Sequence, residues 1–84
     1  MYYVYILLSL KDKKFYVGYT SSLKKRLLEH KKGKVRSTKN RSPLKLLCFE
    51  AYLSKKEAMN RERYLKSNDG RKDIRRRLAI SLNN

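Results

Sequence analysis

Two short stretches of this chain carry tyrosine hydroxyls where an ordinary strand needs none: Tyr3-Val4-Tyr5 and Phe15-Tyr16-Val17-Gly18-Tyr19-Thr20. Each tyrosine alone is unremarkable, because Tyr is common in half-buried strands. As a cluster on paired strands, Tyr3, Tyr5 and Tyr16 are unusual. Gly18 inside such a run suggests close approach of another backbone or of a ligand. Further along, Arg26 stands four residues before His30, so on a helix the two side chains are neighbours. Arg26 reads either as a solvated helix cation or as a functional one. His30 reads as a packed or hydrogen-bonded helix residue or as a catalytic group. Glu62 is the most informative carboxylate, since Ala58, Glu62 and Leu65 fall at i, i+4 and i+7 and set it in an apolar stripe. An acid so placed is costly to ionise unless it is paired or bound to a cation. It can pair with Lys66 four residues on, bridge to Arg26, or hold a cation.

The elements that must position these groups follow from periodicity. Residues 2–8, YYVYILL, are a continuous apolar run with strong β character. Alternation puts Tyr3, Tyr5 and Leu7 on one face, and Val4, Ile6 and Leu8 on the other. The polar stretch Ser9–Lys14 predicts a hairpin turn, and Phe15–Tyr19 its antiparallel partner, with Tyr16 and Gly18 on one face. Thr20-Ser21-Ser22 supplies N-cap candidates for a helix from about Leu23 to Lys32, closed by Gly33. Leu23, Leu27 and His30 form its sheet-facing stripe. Residues 34–42, KVRSTKNRS, read as a basic loop, and LKLLCFEAY after Pro43 as a third strand. Ser54-Lys55-Lys56-Glu57 fits a capping box and opens a second helix to about Lys66. Ser67-Asn68-Asp69-Gly70 reads as a break, and Ile74, Leu78 and Leu82 mark a third helix. The predicted class is α/β, a three-stranded antiparallel sheet flanked by helices in the order β-β-α-β-α-α, in one domain over residues 1–84.

Composition narrows the partner. Among 84 residues, 23 Lys and Arg stand against 7 acids, a formal charge of +16. Such self-repulsion opposes compaction and suits a polyanionic partner, with nucleic acid the leading candidate. No segment approaches the ~20 apolar residues of a membrane-spanning helix. The apolar N-terminal run has no basic region before it, so it is not read as a signal peptide, and a cytoplasmic protein is expected. One Cys and one His exclude an internal disulfide and a Cys/His metal cage. Cys48, within LLCF, reads as a small core residue. No P-loop, GxGxxG motif or Ser-His-Asp set is present.

With these residues in view, the chain resembles the GIY-YIG nuclease superfamily. Tyr3-Val4-Tyr5 followed after a turn by Tyr16-Val17-Gly18 is similar to the paired motif that names it, and GYTSSLKKRLLEH to its continuation, with Arg26 at the helix arginine and His30 after it. EAMNRERYLK resembles the acidic helix and sets Glu62, rather than Glu57, at the metal-binding glutamate. The likeness covers nearly the whole chain and is nearest to small stand-alone bacterial members. The resemblance implies hydrolysis of DNA phosphodiester bonds with one divalent cation, Mg²⁺ or Mn²⁺, held by Glu62. It implies Arg26 on the scissile phosphate, and Tyr5 and Tyr16 positioning or deprotonating the attacking water, with His30 in the same catalytic set. The products would carry 5′-phosphate and 3′-hydroxyl ends. Gly18 and the loop cations Lys34, Arg36, Lys39 and Arg41 are the candidate nucleic-acid contacts. Two departures stand out. Tyr3 replaces the first glycine of the GIY motif, and a family asparagine has only Asn68 as a weak counterpart.

Three functions are therefore open. The first is a metal-dependent endonuclease, with DNA favoured over RNA as substrate, that is non-specific, structure-specific in DNA repair or recombination, or dependent on a protein partner for specificity. The second is a non-catalytic basic nucleic-acid-binding module on the same fold. The third is a membrane-surface or ribosome-associated protein, which accounts for the charge but not for the tyrosines or Glu62.

Overall fold

The dense β-branched and aromatic run at the start of the chain forms the central strand, as its residue types demand. The structure, a computed structural model, describes residues 1–83. Strand β1 spans Tyr2–Ser9, β2 Phe15–Thr20 and β3 Leu44–Tyr52, all antiparallel in the sheet order β2-β1-β3. Helix α1 covers Leu23–Lys31, α2 Lys55–Lys66, α3 Asn68–Arg77 and the one-turn α4 Ala79–Leu82. The expected class and order hold, with α4 added where one continuous third helix was predicted.

Strand parity sets the two faces. One presents Val4 and Ile6, which pack with Ala58 and Leu65 of α2 and Ile74 of α3 into the core; Phe15, Val17, Tyr19, Leu47, Cys48 and Tyr52 surround them. The opposite face carries Tyr3, Tyr5 and Leu7, with Tyr5 opposite Gly18 on β2 and opposite Phe49 on β3. A bulge after Ile6 shifts the β1–β3 register, so that Ile6 faces Cys48 and Leu7 faces Leu46. Helix α1 lies over this second face at its His30 end.

Local signals explain the helix ends. Ser54 accepts from the Glu57 amide at 3.3 Å, as the capping box requires. Gly33 adopts φ +72°, its amide bonds to His30 O, and the Lys34 amide reaches Glu29 O, a Schellman ending for α1. Ser22 stands at the N-cap of α1, but its side chain makes no capping bond. Ser67 differs from expectation. It ends α2 and also caps α3 by accepting from Gly70 N at 3.1 Å, so Asn68-Asp69-Gly70 begins a helix instead of only breaking one. A Cβ on Gly70 would lie 2.5 Å from Leu65 Cα, which shows how closely α3 folds back on α2.

Candidate active site

The sequence-selected residues converge. Tyr5, Tyr16, Gly18, Arg26, His30 and Glu62 line one open pocket of about 630 Å³. Strand β1 delivers Tyr5, edge strand β2 delivers Tyr16 and Gly18, α1 delivers Arg26 and His30, and α2 reaches round the β2 edge with Glu62. Lys66 and Arg71 join the same wall, and Ser37 the other.

Gly18 has a structural reason unlike the expected room for a nucleic-acid backbone. A Cβ there would collide with the Tyr5 hydroxyl and sit 2.6 Å from its Cζ. The space above Gly18 holds the Tyr5 ring, which crosses the sheet to reach α1. There Tyr5 Oη lies 2.8 Å from His30 Nε2 and accepts from Arg26 Nε at 3.4 Å. His30 Nδ1 lies 2.6 Å from Thr38 Oγ1, and both His30 and Thr38 are buried. Burial pushes the Tyr5 phenol up, while the Arg26 hydrogen bond and charge pull it back. Burial and then the Arg26 cation push His30 down, so it is neutral at pH 7.

Tyr16 is held differently. Its hydroxyl donates to Asp12 Oδ2 at 2.7 Å and accepts from Arg41 Nε at 3.0 Å; Arg41 also pairs with Asp12 at 3.2 Å. Desolvation, then the bond to the Asp12 carboxylate, raises its pKa, because an adjoining anion opposes a phenolate.

Of the pairings weighed for Glu62, the structure contains the one with Lys66, at 3.4 Å, while Arg26 pairs with Glu29 at 3.3 Å. Ala58 and Leu65 of the same stripe are buried, and Glu62 is half-buried at its margin. Among the described residues no cluster of three or more His, Cys, Asp or Glu side chains exists to enclose a metal. Glu62 is the one carboxylate of the pocket wall. Mg²⁺ usually takes one or two carboxylates and completes its shell with water and phosphate oxygens, so this donor set fits a cation shared with a phosphate and not an all-protein cage.

The loop cations do not join the pocket wall. Lys34, Arg36 and Lys39 are exposed outside it, and Arg41 is engaged by Asp12 and Tyr16. The loop itself is seated, with Val35 and Thr38 buried and Ser9 Oγ donating to Arg41 O at 2.6 Å. Sequence reasoning missed Thr38 and Asp12. A Thr within a basic run gives no signal, whereas Asp12, four residues before Tyr16 across a tight turn, could have been noticed as its partner.

The family described as the GIY-YIG catalytic domain matches residues 1–78. The chain belongs to the GIY-YIG family. Within it, the chain is 45% identical over 67 residues to the UPF0213 protein CPE1444 of Clostridium perfringens, covering 79% of this chain and 71% of that one. It is 40% identical over 65 residues to a UPF0213 protein of Streptococcus pneumoniae, covering 76% and 65%. The solution NMR structure of the UPF0213 protein BH0048 from Bacillus halodurans superposes with a TM-score of 0.55 at 36% identity, over 98% of this chain and 85% of that chain. The GIY-YIG family is a nuclease-type family. Among the described residues no helix is long and apolar enough to cross a membrane.

Proposed function

We propose that this GIY-YIG protein is an endonuclease that hydrolyses DNA phosphodiester bonds with one Mg²⁺ or Mn²⁺. The observation that carries the reading is the convergence of Tyr5, Arg26 and Glu62, drawn from three separate elements, in one open basic pocket. Arg26 would take a nonbridging oxygen of the scissile phosphate, exchanging its exposed contact with Glu29 for a charge-assisted bond that strengthens as negative charge develops. Glu62 would hold the divalent cation, releasing Lys66 toward a neighbouring phosphate. The cation, when bound, supplies Lewis-acid stabilisation of the phosphate and a more acidic water.

Both phenols have a cation at the oxygen, but only Tyr5 has no carboxylate bonded to it. Tyr5 would therefore be the one to take a proton from the attacking water, after its own proton, held by burial, has passed to solvent. Tyr16 adjoins a carboxylate that keeps it protonated, which suits a hydrogen-bonding and positioning role. His30 would act through Tyr5, whose hydroxyl lies 2.8 Å from its Nε2. Lys34, Arg36 and Lys39 would contact flanking phosphates, and a protein partner is the proposed source of specificity. A non-catalytic nucleic-acid-binding role is the second reading, favoured by the pocket's single carboxylate and its existing pair with Lys66.

The test is incubation of the purified protein with labelled duplex, flap, branched and single-stranded substrates in Mg²⁺ or Mn²⁺. Cutting of at least one DNA structure, with 5′-phosphate and 3′-hydroxyl ends, is the expected result. Binding without cutting throughout the panel would transfer the conclusion to the second reading.

A further inference from the structure

Thr38 is fully buried in the 34–42 loop, and it uses its main chain locally: its amide bonds to Val35 O at 3.1 Å and its carbonyl accepts from Arg41 N at 2.9 Å. Among the described residues, its hydroxyl has one hydrogen-bond partner, Nδ1 of His30. A neutral histidine carries one N–H, so two proton arrangements satisfy the Thr38–His30–Tyr5 chain. If Nδ1–H donated to Thr38, the buried threonine proton would face no acceptor, a state that folded proteins avoid. If Thr38 donates to Nδ1, its proton is used. His30 then carries hydrogen on Nε2 and donates to Tyr5 Oη, which also accepts from Arg26 Nε. In this arrangement the hydrogen left without a protein acceptor is that of Tyr5, which is itself only 3% exposed but, unlike Thr38, lines the open pocket, where water can accept it.

We propose that Thr38 is a positioning residue for the Tyr5 site: its hydroxyl fixes His30 as the Nε2–H tautomer, sets two donors on Tyr5 Oη and leaves the Tyr5 proton to the pocket. Two donors on one phenol oxygen stabilise the charge that forms whenever that proton leaves, whereas the opposite tautomer would turn the Tyr5 proton back into His30. The loop that follows α1 therefore acts on the site from inside, through a neutral threonine, and not only through its cations. This inference rests on the nuclease reading for its consequence, but not for its geometry.

His30 is the sole histidine of the chain, so its ring nitrogens can be assigned without ambiguity in a ¹⁵N-histidine-labelled sample. At neutral pH the wild type and Thr38→Ser are expected to show the Nε2-protonated pattern. Thr38→Val, which keeps the shape and withdraws the hydroxyl from Nδ1, is expected to lose the single wild-type tautomer and populate both forms, and to cut roughly tenfold more slowly, with Thr38→Ser restoring the rate. An Nδ1-protonated wild type, or an unchanged tautomer in Thr38→Val, would overturn the proposal, and the wild-type spectrum decides it alone if that variant does not fold. A wild type with the expected tautomer that cuts nothing supports the proton arrangement and overturns only the nuclease reading.

Discussion

The Tyr5 phenol reaches His30 and Arg26 because the residue facing it across the strand pair has no side chain. Tyr5 lies opposite Gly18, and its ring fills the space where a Cβ would project. Gly18→Ala is therefore expected to displace the Tyr5 hydroxyl from His30 and Arg26 while the sheet stays paired. The cost to stability is about 1–3 kcal/mol, typical of overpacking. The loss of cleavage should be larger, at least tenfold, because a misplacement of about 1 Å suffices for that. Parallel thermal unfolding and cleavage assays check it, and a variant that cuts like the wild type would show that the ring's position does not matter. The glycine's anomaly was legible in FYVGYT, but its cause was not. Sequence shows that a strand glycine wants something near it, yet not whether the neighbour is a ligand or a side chain from the adjoining strand. Thr38 shows the opposite limit. A residue whose whole contribution is one buried hydroxyl looks like any polar loop residue until the fold closes over it.

Element by element, the periodic segments were readable and the junctions less so. YYVYILL, LKLLCFEAY and the capping box at Ser54 each gave their element, because hydrophobic period and caps act locally. The 67–70 stretch misled because serine before an acidic residue can end one helix and begin the next, and only the close contact of Gly70 with Leu65 distinguishes a corner from a loop. The 34–42 segment reads as a free basic loop because the bonds that seat it, Thr38 to His30 and Ser9 to Arg41 O, span distant positions. Glu50 is another residue that matters only once the elements meet. On β3 it receives Arg61 of α2 through two bonds of 2.9 and 3.1 Å, Tyr52 at 2.7 Å and Arg77 of α3 at 3.6 Å. Burial alone would raise its carboxyl, but Arg61, Tyr52 and Arg77 together outweigh burial and hold it below the ordinary 4.5. A depressed folded-state pKa contributes stability that is full above the unfolded value and lost as the pH falls below it. Glu50→Gln is thus expected to lose about 1–2 kcal/mol at neutral pH. The gap from wild type should close as the pH falls below 4.5, as read by denaturant unfolding at several pH values. A gap unchanged at acid pH would show that the charge is not the source.

For the whole molecule, the striking imbalance of charge is also an ordered one. Five of the seven acids, Asp12, Glu29, Glu50, Glu62 and Asp73, are ion-paired, and the other two, Glu57 and Asp69, stand in the first turns of α2 and α3. The anions are thus used internally, and the excess of cations is left outside these pairs on a body of 33 × 29 × 19 Å. Binding to DNA should weaken steeply with salt, because each phosphate neutralised releases condensed counterions. A titration across ionic strengths that gave a flat affinity would remove nucleic acid as the partner. Salt-dependent binding alone does not separate a nuclease from a passive binder, and charge alone does not name the chemistry. The Glu62 carboxylate does separate them. The decisive measurement is wild type against Glu62→Ala on one DNA substrate, with binding and cutting read in the same samples. The account predicts that Glu62→Ala binds at least as tightly and does not cut detectably. Cutting by Glu62→Ala at the wild-type rate would contradict it.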